Sequence, residues 1–114
     1  MLSIGSIVWG AADVDRAVAF WTRALDYVER DPGDDTWRIL RPREGEGQQL
    51  AIAKAASPGP RRHHLDLYAD DRSAEIDRLI ALGAVRDEHW NYEDDADYVV
   101  LHDTEGNAFC VVGT

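Results

Sequence analysis

The chain has 114 residues, within the size range of one domain, and its 45% hydrophobic content is enough for a packed core, which excludes a disordered polymer. Its formal net charge is -10, from 22 acidic and 12 basic residues. The densest basic stretch, Arg61–Arg62, is too short to make a patch for phosphate or anionic lipid, so the charge argues against nucleic acid and membrane surfaces as partners and suits a neutral or cationic ligand better.

The first predicted element is a strand from Ser3 to Trp9, rich in Ile, Val and Trp. No basic residue precedes Arg16, and Gly5, Gly10 and Asp13 interrupt the apolar stretch, so the opening does not read as a signal peptide. No segment approaches the ~18 apolar residues of a membrane helix. A single cysteine, Cys110, rules out an internal disulfide, and a reduced cytoplasmic location is the default expectation. Asp13 is placed to cap a helix whose apolar face is Val14, Ala17, Val18, Trp21 and Leu25, spaced by three, four and seven. Strands are expected at Tyr27–Arg30, Thr36–Leu40 and Gln49–Lys54, separated by the turn-rich segments that begin at Asp31 and Arg41.

The pattern then restarts. Ala56-Ser-Pro-Gly-Pro reads as a linker, because prolines so close together fit neither a helix nor a central strand. A strand follows at His63–Tyr68, then a helix opened by Asp70 or Asp71, carrying Ile76, Leu79 and Ile80 and ended by Gly83. Val85–His89, Tyr98–His102 and Ala108–Val112 are three further strands, the last two joined by a turn at Thr104-Glu-Gly-Asn where Gly106 or Asn107 tolerates positive φ. That turn lacks the alternating oxygen ligands of a calcium loop. The order β-α-β-β-β thus occurs twice: module 1 over about 3–56, a linker over about 56–61, and module 2 over about 62–114. Neither module can cover both faces of its own sheet, so pairing them buries the helix-facing sides. The rival arrangement, a ferredoxin-like β-α-β-β-α-β fold, leaves too few strands for both late hairpins.

Four segments carry a family likeness: Asp13-Val-Asp-Arg-Ala-Val-Ala-Phe-Trp, His64-Leu-Asp-Leu, Leu79-Ile-Ala-Leu-Gly-Ala and Asp103-Thr-Glu-Gly-Asn-Ala-Phe-Cys-Val-Val. Each is weak alone, but their order and spacing across nearly the whole chain resemble the glyoxalase-like branch of the vicinal-oxygen-chelate (VOC) superfamily. One departure is Asp26, where a glycine usually follows the helix-ending leucine. The resemblance implies an α+β fold of two βαβββ modules whose mixed, mostly antiparallel sheets curl into a cup. It also implies a divalent metal on the cup floor, held by His, Glu or Gln at positions that fall on Ser6, Ala53, His64 and Cys110. Only His64 keeps a usual ligand type, and Ala53 offers no donor at all, so the sequence leads to the expectation of a site without metal or other cofactor.

Strand alternation sorts the remaining candidates. Leu65 and Leu67 should face the helices, leaving His64, Asp66 and Tyr68 as a polar wall of the cup; a solvated face or a structural His64–Asp66 pair is the plain alternative. His64, with a reference pKa of ~6.5, is the candidate general base, and Asp66 could orient it or attract a cation. His63 is assigned no role. Cys110 shares its face with Ala108 and Val112 and reads as a small buried hydrophobe. Trp9 and Trp21 belong to the core, whereas Trp37, Trp90, Tyr92 and Tyr98 are candidate ligand walls, and His102 lies one strand from Cys110. The acidic run after Tyr92 reads as a solvated rim. Relatives implied by the resemblance include dimeric resistance proteins that sequester a toxic compound. The functional expectation is therefore a homodimeric small-molecule binder for an aromatic or cationic ligand. An isomerase, epimerase or lyase that uses His64 as base or metal ligand is the alternative, and a domain with a vestigial cup the third.

Overall fold

The computed structural model describes residues 1, 3–57, 59–60 and 63–113. Pro58 of the expected linker, and the basic pair Arg61 and Arg62, lie outside the described residues. The first module contains β1 (Ile7–Ala11), α1 (Val14–Leu25), β2 (Tyr27–Glu29), β3 (Trp37–Pro42) and β4 (Leu50–Lys54). The second contains β5 (Leu65–Ala69), α2 (Arg72–Ala81), β6 (Val85–Arg86), β7 (Tyr98–His102) and β8 (Ala108–Gly113). Each module builds its own four-stranded sheet, ordered β1-β4-β3-β2 and β5-β8-β7-β6, with one parallel pair and two antiparallel pairs. The expected α+β fold of two βαβββ modules is present.

Local chemistry explains where the helices begin and end. Asp13 and Asp71 are the N-caps, each in extended backbone and each accepting a backbone N–H three residues on, Arg16 at 3.0 Å and Ala74 at 3.1 Å. Gly83, at φ 120°, stops α2 in a conformation that a side chain would strain. Asp26 does the same for α1 without being glycine: it sits in the left-handed region at φ 55°, ψ 48° and pairs with the Arg43 guanidinium at 2.8 Å.

Helix α1 packs against β2, β3 and β4, and α2 against β8. Val14, Ala17, Val18, Phe20, Trp21 and Ala24 of α1 join Trp9, Ala11, Leu40, Leu50 and Ile52 of the first sheet and Leu101, Phe109 and Val111 of the second in one continuous core. Trp21 sits at its centre, with ring centroids 5.7 Å from Trp9, 5.0 Å from Phe20 and 5.4 Å from Phe109, all edge-to-face. Buried polar groups clasp the modules together. The Glu105 carboxylate accepts the Ala12 N–H and an Arg16 N–H, and Asp103 accepts the Trp21 indole N–H at 3.3 Å. Arg78 of α2 donates to the last carbonyls of α1, Arg23 at 3.0 Å and Ala24 at 2.9 Å, satisfying acceptors that the helix itself leaves open.

Several boundaries move from the sequence reading. The first strand begins at Ile7 rather than Ser3 and runs on through Gly10 and Ala11, because the parallel ladder with β4 extends to Lys54. The strand expected over Val85–His89 pairs as β6 only at Val85 and Arg86; the Asp87 carboxylate turns back to accept the His89 N–H at 2.9 Å. Ile80, expected on the packed stripe of α2, is 39% exposed, and only Ile76 and Leu79 are buried there. No helix among the described residues is long and apolar enough to cross a membrane.

Candidate functional site

Because the helix-facing sides share one core, the opposite faces of both sheets are where ligands can reach. On the second sheet the alternation of β5 puts Leu65, Leu67 and Ala69 inward, while Asp66 and Tyr68 stand outward and exposed. Register then decides their neighbours. Asp66 lies opposite Cys110, which lies opposite Val100; Tyr68 lies opposite Val112, which lies opposite Tyr98. His64, two residues before Asp66 and on the same face, completes a cluster: the His64, Asp66 and Cys110 ligand atoms all lie within 4.8 Å of one another. The His64 Nε2 to Asp66 Oδ1 distance is 3.3 Å, with both side chains about half exposed. Cys110 is buried, and that burial, reinforced by the negative charge and hydrogen bond of Asp66, raises its thiol pKa.

Beside the cluster lies a shallow cavity of about 270 Å³ lined by Asp66, Tyr68, Asp97, Tyr98, Cys110 and Val112. Asp97 belongs to the run read in sequence as a solvated rim; its place directly before the β7 strand was the available signal for a role. Loop 90–97 folds onto Tyr98. The Trp90 indole donates to the Tyr98 hydroxyl at 3.2 Å, that hydroxyl donates to Glu93 at 2.9 Å, and the Val100 N–H donates to the Tyr92 hydroxyl at 2.9 Å. Tyr92 and Tyr98 rings are 5.4 Å apart. A larger hollow of about 530 Å³ lies along β5 between α2 and the end of α1 and shares Asp66 and Tyr68 with the smaller cavity, but part of its polar lining is committed to the fold: Asp71 caps α2, and Glu75 pairs with Arg78 at 2.7 Å.

Other residues singled out in the sequence lie apart from this cluster. Both ring nitrogens of His102 are engaged, Nε2 with Asp87 at 2.9 Å and Nδ1 with the Gly106 carbonyl at 3.1 Å. The Asp87 bond raises the His102 pKa, and the same bond lowers that of Asp87. Trp37 stands on the outer face of the other sheet, opposite Ala53 and 44% exposed. His63, unassigned from sequence, stacks on Trp9 with centroids 4.6 Å apart, and burial lowers its pKa.

The four positions at which the resemblance puts a metal do not all fit one. Ala53 has no donor. Strand register makes Ala51, rather than Ala53, the counterpart of Cys110 in the first module, and it too has none. The Ser6 hydroxyl is buried without a hydrogen-bond partner among the described residues. What the second module does offer is one imidazole, one carboxylate and one sulfur in a single cluster, so His64 does not stand alone as the sequence led us to expect. That set suits a borderline-soft divalent cation.

Comparison with known proteins agrees with the architecture. The chain is similar in structure to a mutant fosfomycin resistance protein from Listeria monocytogenes, complexed with Mn(II) and 1S,2S-dihydroxypropylphosphonic acid. The TM-score is 0.76 and identity 14%, covering 100% of this chain and 92% of that one. It is also similar to a glyoxalase/bleomycin resistance protein/dioxygenase family enzyme from Burkholderia phytofirmans (TM-score 0.71, 18% identity, 98% of each chain covered). A third is protein ATC0852 from Agrobacterium tumefaciens (TM-score 0.77, 11% identity, 99% and 98% covered). No curated protein sequence matches the chain significantly. The glyoxalase-like domain model matches residues 6–112, almost end to end, and with the paired modules and their register this chain belongs to the glyoxalase-like domain family, within the VOC superfamily.

Proposed function

We infer that this chain binds a small molecule on the outer face of its second sheet, sequestering an aromatic or cationic compound such as a drug or a toxic metabolite. The observation that carries the reading is the meeting of two carboxylates and two phenols, Asp66, Asp97, Tyr68 and Tyr98, around one cavity. Aromatic rings supply contact area at low entropic cost, and the carboxylates attract positive charge, in keeping with the net charge of -10. Such binding needs no metal.

At about 270 Å³ the cavity is small against the ~300–1,000 Å³ usual for ligand pockets, and Tyr68 is 86% exposed. A second copy of the chain that covers this face would enlarge and close it, so a homodimer is part of the proposal. A reduced cytoplasmic setting suits the single thiol. Tryptophan fluorescence titration with a panel of cationic and neutral aromatic compounds tests the reading. Saturable quenching that Tyr98→Ala and Asp66→Asn weaken supports it, and quenching that ignores both variants overturns it.

The 3.3 Å approach of His64 to Asp66 favours a second reading, in which the imidazole, oriented by the carboxylate, abstracts a proton as the base of an isomerase, epimerase or lyase. Once a ligand is in hand, His64→Ala separates the two: lost turnover with retained binding favours the enzyme, and retained binding with no turnover in either protein favours sequestration.

A further inference from the structure

We propose that the cavity between Tyr68 and Tyr98 receives a methylated ammonium head group, so that the compounds held here are trimethylammonium-type cations rather than primary amines or neutral aromatics. The inference rests on the binding reading above and narrows it to one class of ligand.

Geometry carries the first part. Tyr68 lies opposite Val112, and Val112 opposite Tyr98, so the two phenols rise from the strands on either side of β8 with an isopropyl group between them. Neighbouring strands are ~4.8 Å apart. A cation seated over Val112 is therefore about one strand spacing from each tyrosine, inside the ~6 Å within which an aromatic face attracts positive charge. Tyr98 is fixed in place: its hydroxyl accepts the Trp90 indole N–H at 3.2 Å and donates to Glu93 at 2.9 Å. A wall held in this way loses little side-chain freedom on binding. At about 270 Å³ the cavity is small for a whole drug-sized molecule but has room for a head group. The corresponding positions of the first sheet are Gly10, Ala53 and Trp37, which offer a single ring.

The state of the acceptors carries the second part. A primary ammonium brings three N–H donors, each of which needs an acceptor. The Asp66 carboxylate faces His64 Nε2 at 3.3 Å and accepts the Cys110 thiol, and the Tyr98 hydroxyl is taken by Trp90 and Glu93. Val112 and Cys110 add hydrocarbon and sulfur to the lining rather than oxygen. A trimethylammonium group asks for no hydrogen bond. It needs surfaces that accept methyl groups, aromatic faces and nearby negative charge, and Asp66, Asp97 and the net charge of -10 provide the last.

The test titrates the full-length protein by calorimetry with choline, its neutral isostere 3,3-dimethylbutan-1-ol and the primary amine ethanolamine. We expect choline to bind saturably at one equivalent per chain, and the other two to bind at least about tenfold more weakly. Tyr68→Leu should weaken choline about two- to fivefold more than Tyr68→Phe does, since phenylalanine keeps the ring. Tyr68 is 86% exposed, and far-UV circular dichroism confirms that both variants are folded. Choline bound no better than either analogue, or equally by the two Tyr68 variants, would overturn the class. No saturable choline binding would overturn it too, and the aromatic panel then tells the two proposals apart. A panel compound whose quenching depends on Tyr98 and Asp66 leaves the binding reading standing without the head-group class.

Discussion

The two sheets have the same strand order and the same pattern of pairing, yet their outer faces differ in chemistry. Aligning the β1–β4 ladder with the β5–β8 ladder makes Ser6, Val8 and Ala51 the counterparts of His64, Asp66 and Cys110. The first module carries a hydroxyl and two hydrocarbon side chains where the second carries an imidazole, a carboxylate and a thiol. Duplicated backbone therefore supplies two equivalent platforms, and side-chain choice alone equips one of them. The helix layer is divided in the opposite sense: α1 buries six residues, α2 only Ile76 and Leu79. The first module leads in building the core, and the second displays the reactive groups.

The sharpest way to break this division is to remove the core from under it. Trp21 is 1% exposed and touches both modules, so Trp21→Ala should cost about 3–5 kcal/mol of unfolding free energy, measured by denaturant titration. A loss below about 1 kcal/mol would mean that the sheets do not depend on a shared core. Next comes the polar clasp. Glu105→Ala strands the Ala12 N–H and leaves Arg16 without its carboxylate, and should cost about 1–3 kcal/mol in the same assay.

The His102–Asp87 pair gives a smaller, pH-dependent effect. The folded His102 pKa is raised, so its contribution is complete below the unfolded value of ~6.5 and fades as pH rises through the folded value. The folded Asp87 pKa is lowered, so its contribution is complete above the unfolded value of ~3.9 and fades as pH falls. The melting-temperature difference between the natural chain and His102→Gln should therefore be greatest between about pH 4 and 6.5 and shrink by pH 9. A difference that grows with pH would contradict the pairing. The smallest effect is at Asp26, whose left-handed backbone costs ~1–2 kcal/mol, offset only slightly by its exposed, solvent-screened ion pair with Arg43. Asp26→Gly should be neutral to slightly stabilising.

How much of this was legible beforehand follows from the range of each interaction. Helix caps at Asp13 and Asp71, the break at Gly83 and the outward set of His64, Asp66 and Tyr68 are set by residues within a turn or two, and period and cap chemistry reveal them. The cluster was legible only in pieces: the resemblance put His64 and Cys110 on one cup floor and alternation put Asp66 on the face of His64, but the contact of Asp66 with Cys110 was not. It joins Asp66 to Cys110 across a long stretch of chain, through a parallel register that alternation cannot fix, since a slip of two residues preserves every facing. The same gap hid the fate of His102, whose partner Asp87 looked like part of a strand. It also hid the packing of Trp90 and Tyr92 onto Tyr98. Trp37 was read only as a candidate ligand wall; the register that sets it opposite Ala53, on the first sheet and apart from the second-sheet cavity, is not written in its local sequence.

The claim on which the rest turns is that the second sheet's outer face is the chemically equipped one. It is most directly tested by recording backbone amide spectra of the isotopically labelled protein during titration with the aromatic or cationic compound that best quenches its tryptophan fluorescence. We expect shifts centred on the residues that line the second-sheet cavity, Asp66, Tyr68, Asp97, Tyr98, Cys110 and Val112. Shifts centred on residues 6–10 and 51–53 would contradict it.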